Sequence, residues 1–478
     1  MAGPDKSSVN HFNSLQQHLK LENPILLDAI DGFKQLDEVG YSTGLLATNE
    51  SYATQIPWWP LISVLGTFSA GKSSFINSYL GKPMQQTGNQ AVDDKFTVMC
   101  FGQENAGKVL PGLALDADLR FPFYKISDEI EKVASGEGRR IDAYLQLKIS
   151  DSESVRGKIL IDSPGFDADE QRTSTLKLTD HIVDISDLVL VFFDARHPEP
   201  GAMQDTLRHL VEDTIKRADS NKFLYILNQI DTAAREDNPE DVVGAWQRAL
   251  SQKGLTAGRF YTVYNKDVAL PIEDEGLRKR FESRRQRDLA DIEERIKQVE
   301  VERAYRIVGA MEKEAYFIRD NAIPHLQKLK KRWSNRVIKI DLLIWVLLAI
   351  AAVAVAFASG IGAALPSLLL ALVVKPLAFL PHMLLILAAL FLLHLLVKMF
   401  TSRSMARSMV LTDDDPYIKA FRRNTRFWSS IFTSRIAGWG KTTRNSVAEV
   451  IDHSSMFVQR LNDQFTNPSG STTPDHSL

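Results

Sequence analysis

GTFSAGKSSF, Gly66 to Phe75, is the stretch whose reading sets the fold. Gly66, Gly71, Lys72 and Ser73 fit the pattern G-x-x-x-x-G-K-[ST]. LISVLG (Leu61–Gly66) is a short apolar run, the mark of a buried strand, and the SSFINSYLG that follows Lys72 is helical in character. Strand, glycine loop and helix in that order make a phosphate cradle. The glycines let backbone N–H groups turn onto phosphate oxygens, and the helix N-terminus adds partial positive charge. Lys72 is then expected to reach the β- and γ-phosphates, and the Ser73 hydroxyl to ligate Mg²⁺.

Working outward, KILIDSPG ends an apolar run at Asp162, with Gly165 three residues on, about ninety residues after the cradle. This D-x-x-G sits at a strand end, where open α/β sheets bind ligands. Asp162 is expected to hold Mg²⁺ through water, and the Gly165 N–H to sense the γ-phosphate. FLYILNQID then places Asn228 and Asp231 at the end of another strand. A carboxylate there accepts two hydrogen bonds from guanine N1 and N2, which adenine cannot match, so GTP is the expected substrate. ATP stays open, because Gln229 stands where lysine is usual. VYNKD follows one strand later, and Asn265 and Lys266 could complete the base pocket. Further strands are read in YLQLKIS, LVLVFFDA and RFYTVYN, mostly separated by helical patterns. The expectation is an α/β domain with a mostly parallel sheet.

The 478 residues suffice for two or three domains, with 44% apolar and 24% charged residues. A net charge of −2 gives no basic excess and no reason to expect nucleic acid. Cys100, the single cysteine, excludes an internal disulfide and a cysteine-based metal site. The N-terminal stretch lacks the apolar core of a secretory signal, which points the soluble mass to the cytosol.

Apolar residues concentrate late in the chain. Leu342 to Val374 carries no charge, Lys375 interrupts, and Pro376 to Val397 is again uncharged. A span needs about 20 apolar residues, so two are expected, near 342–362 and 378–397, as a transmembrane helical hairpin. Lys328, Lys330, Lys331, Arg332, Arg336 and Lys339 precede the block, and Lys398, Arg403 and Arg407 follow it. Basic residues on both flanks put both ends in the cytosol. A hairpin in one leaflet, or a re-entrant PSLLLALVV, is the alternative.

GTFSAGKSS, DSPG, NQID and VYNKD, in this order, resemble the dynamin superfamily. The chain resembles a bacterial-type or mitofusin-like dynamin with a membrane segment in its helical stalk, and is similar to the EH-domain ATPases between Asp241 and Asp291. The resemblance covers roughly residues 10 to 335. It implies a GTPase whose nucleotide contacts run through Gly66, Thr67, Phe68, Ser69, Ala70, Gly71, Lys72, Ser73 and Ser74. Asp162, Gly165, Asn228, Asp231, Asn265 and Lys266 complete the set. Ser69, Lys72 and Ser73 are the implied catalytic residues, Ser69 helping to neutralise the transition state, and Ser73 and Asp162 the metal ligands. Phe68 stands where dynamins proper have a water-orienting glutamine. Val92 or Asp93 holds the place of the switch I threonine, which leaves Thr87 or Thr97 to take that role. GWGKTT (Gly438–Thr443) lacks the first glycine of the pattern and reads as a turn between helices.

The expected organisation has helices over residues 1–56 joining a bundle and a GTPase domain over 57–275. Stalk helices follow over 276–340, then the hairpin over 341–399, C-terminal stalk helices over 400–466 and a disordered tail over 467–478. PYIKAFRRNTRFWSSIFTSRIAG and SVAEVIDHSSMFVQRLNDQF are each read as helical. The resemblance implies an α/β P-loop GTPase domain on an α-helical bundle stalk. GTP binding and hydrolysis would then be coupled to homodimerisation, or higher self-association, and to remodelling of a lipid bilayer, the bacterial inner membrane. The alternative is a membrane-anchored switch with little hydrolysis that recruits a protein effector.

Overall fold

The computed structural model describes residues 6–22, 26–87, 95–118, 121–124, 126–133, 135–165, 173–196, 220–235, 239–252, 259–269, 271–360, 376–409 and 416–465. They form two compact units. One comprises His18–Glu22 and Thr54–Ile307; the other comprises the chain up to Gln17, Asn23–Ala53 and the chain from Val308.

The first unit is built on an eight-stranded sheet. Its strands are β1 (Leu61–Gly66), β2 (Phe96–Phe101), β3 (Val109–Pro111), β4 (Leu145–Ser150), β5 (Ile159–Asp162), β6 (Leu188–Asp194), β7 (Phe223–Asn228) and β8 (Arg259–Thr262), in the order β3-β4-β2-β5-β1-β6-β7-β8. β1 pairs parallel with β5 and β6 and is buried along its whole length. That is why LISVLG reads as a continuous apolar run instead of an alternating one. The sheet is mostly parallel as expected, but β2 runs antiparallel to β5 and β3 antiparallel to β4. Neither β2 nor β3 is anticipated above.

In chain order the helices as far as Tyr316 are α1 (Lys6–Glu22), α2 (Leu27–Thr43), α3 (Lys72–Leu80), α4 (Leu113–Asp116), α5 (Ile126–Val133), α6 (Thr173–Ile185), α7 (Pro239–Gln252) and α8 (Glu275–Tyr316). α2 and α1 up to Gln17 belong to the second unit, and α3 to α7, with α8 as far as Ile307, belong to the first. Alternate residues of β1 face opposite layers. Leu65 joins a core with Val191, Leu227 and Trp246 of α7, while Ile62 and Val64 join one with Ile292, Ile296 and Val299 of α8. The latter three recur at helical spacing, so α8 offers one apolar stripe to the sheet. Asp187 fixes the same helix electrostatically. Its carboxylate accepts from the Leu61 amide at 2.9 Å, from Arg303 at 3.1 Å and from Arg306. The expected boundary at residue 275 marks the start of α8, whereas the change of packing comes within the helix, after Ile307.

The second unit is helical. After α8 come a π turn (Phe317–Ala322), α9 (Ile323–Ala358), α10 (Pro376–Ser408), α11 (Pro416–Asn424) and α12 (Lys441–Phe465). Pro324 sits in the first turn of α9, directly after the π turn, where the helix continues without a break. Ile30, Phe33, Met311, Trp333, Phe421 and Val450 are among the residues buried between these helices. Leu342 onward on α9 and Met383 onward on α10 are long and apolar enough to cross a membrane. The richest stretch of α9 has no buried residue, so it is not the core of a soluble bundle. The expected link residues Pro366 and Lys375 and the tail from residue 467 lie outside the described residues. One expectation is corrected: residues 425–438, the latter part of the stretch read as helical, contain no helix. Their carbonyls are taken by side chains of α9 and α10, as described below. GWGKTT leads into α12, where the Thr443 hydroxyl accepts from the Gly440 amide and donates to the Gly438 carbonyl, both at 2.9 Å.

Candidate functional site

β1 delivers the glycine loop to the C-terminal edge of the sheet, and α3 begins at Lys72. Gly71, just before α3, has φ +81°, a left-handed conformation that suits glycine. A Cβ on it would run into the Asn228 amide. Lys72 is buried, and its Nζ donates to the carbonyls of Gly66 and Thr67, each at 3.0 Å. An ammonium has three donors, so these two bonds hold it inside the loop and leave one for a phosphate oxygen. Burial pulls its pKa below the ordinary lysine value, and the Asp162 carboxylate works against that. Ser73 and Ser74 occupy the next two positions of α3, and Ala70 is buried beneath the loop.

Asp162 ends β5 and is nearly fully buried. Its Oδ2 accepts from Gln85 Nε2 at 2.5 Å. Gln85 is itself clamped: its backbone exchanges two 2.8 Å hydrogen bonds with the Asn77 side chain of α3, and its Oε1 accepts from Lys148. Gly165 comes against the loop from the other side, since a Cβ there would lie 2.9 Å from the Phe68 Cα. The two phosphate-side motifs are therefore brought together.

The base-side motif braces the same loop. Asn228 Nδ2 donates to Ala70 O at 2.9 Å, and Gln229 Nε2 to Ser69 O at 2.6 Å. Asp231 is the second residue of the 3₁₀ turn (Ile230–Arg235) that follows and is buried. Asn265 turns on itself, its Oδ1 accepting from the Asp267 amide at 3.0 Å. Lys266 Nζ lies 3.7 Å from Glu282 Oε1 of α8, so the structure holds it toward that helix. Of the two expected switch I substitutes, Thr87 is exposed. Thr97 is buried in β2 opposite Asp162, with its hydroxyl accepting from Gln146 at 2.8 Å. Val92 and Asp93 lie outside the described residues.

Three contributors are absent from the sequence reading. Gln85 and Lys148 orient Asp162 from 77 and 14 residues away, a relation that no local spacing betrays. Arg196 follows β6, chelates Asp194 through Nε at 3.0 Å and Nη2 at 2.6 Å, and reaches Ser69 O at 3.4 Å. The hydrogen bonds it donates to the Asp194 carboxylate raise its pKa further. As for a metal, no cluster of three His, Cys, Asp or Glu occurs among the described residues. A hydroxyl and a carboxylate flanking a phosphate cradle still suit Mg²⁺, which takes few protein oxygens and fills its shell with water and phosphate.

A phosphate loop after β1, a D-x-x-G carboxylate at the end of β5 and an N-x-x-D pair at the end of β7 define a P-loop domain of the GTPase type. Residues 62–230 match the model of the dynamin family, and the chain carries a dynamin-family domain. Two solved structures also match over 96% of this chain and 76% and 78% of their own, at 13% and 14% identity and a TM-score of 0.35. Both are described as an oligomerised bacterial dynamin pair that provides a mechanism for long-range sensing and tethering of membranes.

Proposed function

We propose that the chain is a membrane-anchored GTPase that couples GTP binding and hydrolysis to self-association and to work on a bilayer. The observation that carries this is the occurrence, in one chain, of a phosphate cradle fixed by Lys72 and of two apolar helices, the richest stretch of α9 having no buried residue. Lys72 and the loop amides would bind the β- and γ-phosphates. Asp231 would read guanine, with Asn228 and Gln229 holding its loop on the cradle. Ser73 directly and Asp162 through water would hold Mg²⁺, which neutralises phosphate charge when bound. Asn265 and Lys266 complete the base pocket only if Lys266 leaves Glu282. Ser69 would polarise the transferring phosphoryl group. α8 begins against the nucleotide domain and continues in sequence toward the apolar helices, so it is the natural carrier of a nucleotide-dependent change.

Purified full-length protein should bind GTP over ATP, lose that binding in Lys72→Ala, and resist alkaline carbonate extraction from membranes. Equal binding of both nucleotides, or release by carbonate, would argue against the proposal. Thr97 supports a second reading. Buried in β2 and accepting from Gln146, it would have to leave the strand to meet the attacking water, which favours a slow hydrolase acting as a membrane-bound switch.

A further inference from the structure

After α11 the chain runs from Thr425 to Gly440 without a helix or strand, and it presents Phe427, Trp428 and Phe432 at 57, 64 and 89% exposure. Three large aromatics this exposed in one short loop call for an occupant. Phe427 and Trp428 stack edge to face at 4.3 Å, and the Arg426 guanidinium lies 5.5 Å from the Trp428 ring centre. The backbone is pinned from below. Lys398 Nζ donates to Phe427 O at 2.5 Å and Ser429 O at 2.7 Å, Ser334 Oγ to Ile431 O, and Lys330 Nζ to Arg435 O at 2.6 Å. Rings turned outward on a backbone held this firmly are positioned by the fold.

The position is specific. Lys398 directly follows the apolar run that ends at Val397. Four residues earlier His394 Nδ1 meets Asp341 Oδ2 at 2.7 Å, and Asp341 immediately precedes Leu342, where the exposed apolar face of α9 begins. Both apolar helices therefore end at one level, and Lys398 places the loop about 6 Å from it, one helical turn. Phe400 of α10, 72% exposed, extends the apolar surface past that level. The charge fits one occupant. From Pro416 to Ala448 there are seven basic residues and no acidic one.

We propose that Phe427, Trp428 and Phe432 enter the headgroup layer of an anionic bilayer beside the two spans, with Arg426 and Arg435 meeting lipid phosphates. The proposal rests on reading the apolar segments of α9 and α10 as membrane spans. Aromatic side chains collect at this depth of a bilayer, and guanidinium groups bind phosphate in pairs of hydrogen bonds. The spans already anchor the chain, so the loop supplies a second contact that fixes the attitude of the helical unit against the membrane.

Single cysteines at Trp428→Cys, Phe432→Cys and, as a control, Leu347→Cys, each with Cys100→Ser, would carry an environment-sensitive nitrobenzoxadiazole label. The full chain is reconstituted in phosphatidylcholine–phosphatidylglycerol vesicles, with and without lipid brominated near the headgroup. Blue-shifted emission at 428 and 432, quenched roughly twofold or more by the brominated lipid, is the expected result for rings at the interface. Lipid-dependent signal at 347 but none at 428 and 432 overturns the loop proposal and leaves the spans standing. No signal at any of the three overturns the span reading and the proposal with it. A blue shift at 428 and 432 that brominated lipid does not quench means a protein surface, such as a second copy, covers the loop, and overturns it too.

Discussion

Gln229 and Ser69, both with left-handed backbone at φ 62° and 59°, are joined by a 2.6 Å hydrogen bond from the glutamine amide to the serine carbonyl. Non-glycine residues held there cost about 1–3 kcal/mol each, so the bond links two strained loops that each steady the other. Gln229→Ala removes a bond worth about 0.5–1.5 kcal/mol. It should weaken GTP binding by up to about tenfold, as read by fluorescent nucleotide titration, without unfolding the sheet.

Asp231→Asn tests the base assignment. An amide cannot accept both guanine N–H bonds. Affinity for GTP should fall by roughly tenfold or more, while xanthosine triphosphate, which accepts where guanine donates, should bind better than to wild type. Unchanged GTP affinity in the titration would remove Asp231 from the site.

Asp187 receives the β1 amide and two arginines of α8 at a buried position. Removing one partner of a buried pair costs about 3–5 kcal/mol. Asp187→Ala should therefore lower the thermal midpoint of the nucleotide unit markedly, by calorimetry, and more than Arg306→Ala, whose side chain is 43% exposed.

The helical unit should be sensitive to pH through Asp37. Burial pushes its carboxyl up from 3.8 to about 7, with Glu314 of α8 adding repulsion. The native state binds this proton more tightly than the unfolded chain does. The resulting stability is complete below about pH 4 and is lost as pH rises through about 7, at most about 4 kcal/mol. Asp37→Asn keeps an acceptor for the Tyr52 amide, which lies 2.8 Å from Oδ1, and should flatten the melting-temperature profile between those limits.

Motifs with a fixed local spacing were legible from the residues alone, because their chemistry depends on one turn of backbone. The glycine loop, the D-x-x-G and the N-x-x-D fall on strand ends in this way. The apolar helices were legible because an uncharged apolar run of about twenty or more residues leaves few alternatives to a long helix. What stayed hidden was tertiary. FTVMCF of β2 carries an ordinary strand signal, yet it overlaps the stretch expected to supply a switch I ligand. RFWSSIF has apolar residues at near-helical intervals, but Lys398, Ser334 and Lys330 take the carbonyls that a helix would have used. Gln85 acts on Asp162, and Arg196, steadied by its neighbour Asp194, acts on Ser69; both targets are distant in sequence.

The central claim is that a nucleotide held at Lys72 does work on a bilayer. Its most direct test is GTP turnover by the full-length protein in anionic vesicles and in detergent, beside Lys72→Ala. The account predicts hydrolysis that vesicles stimulate several-fold and that Lys72→Ala abolishes in both settings. Turnover indifferent to lipid, or retained by Lys72→Ala, would contradict it.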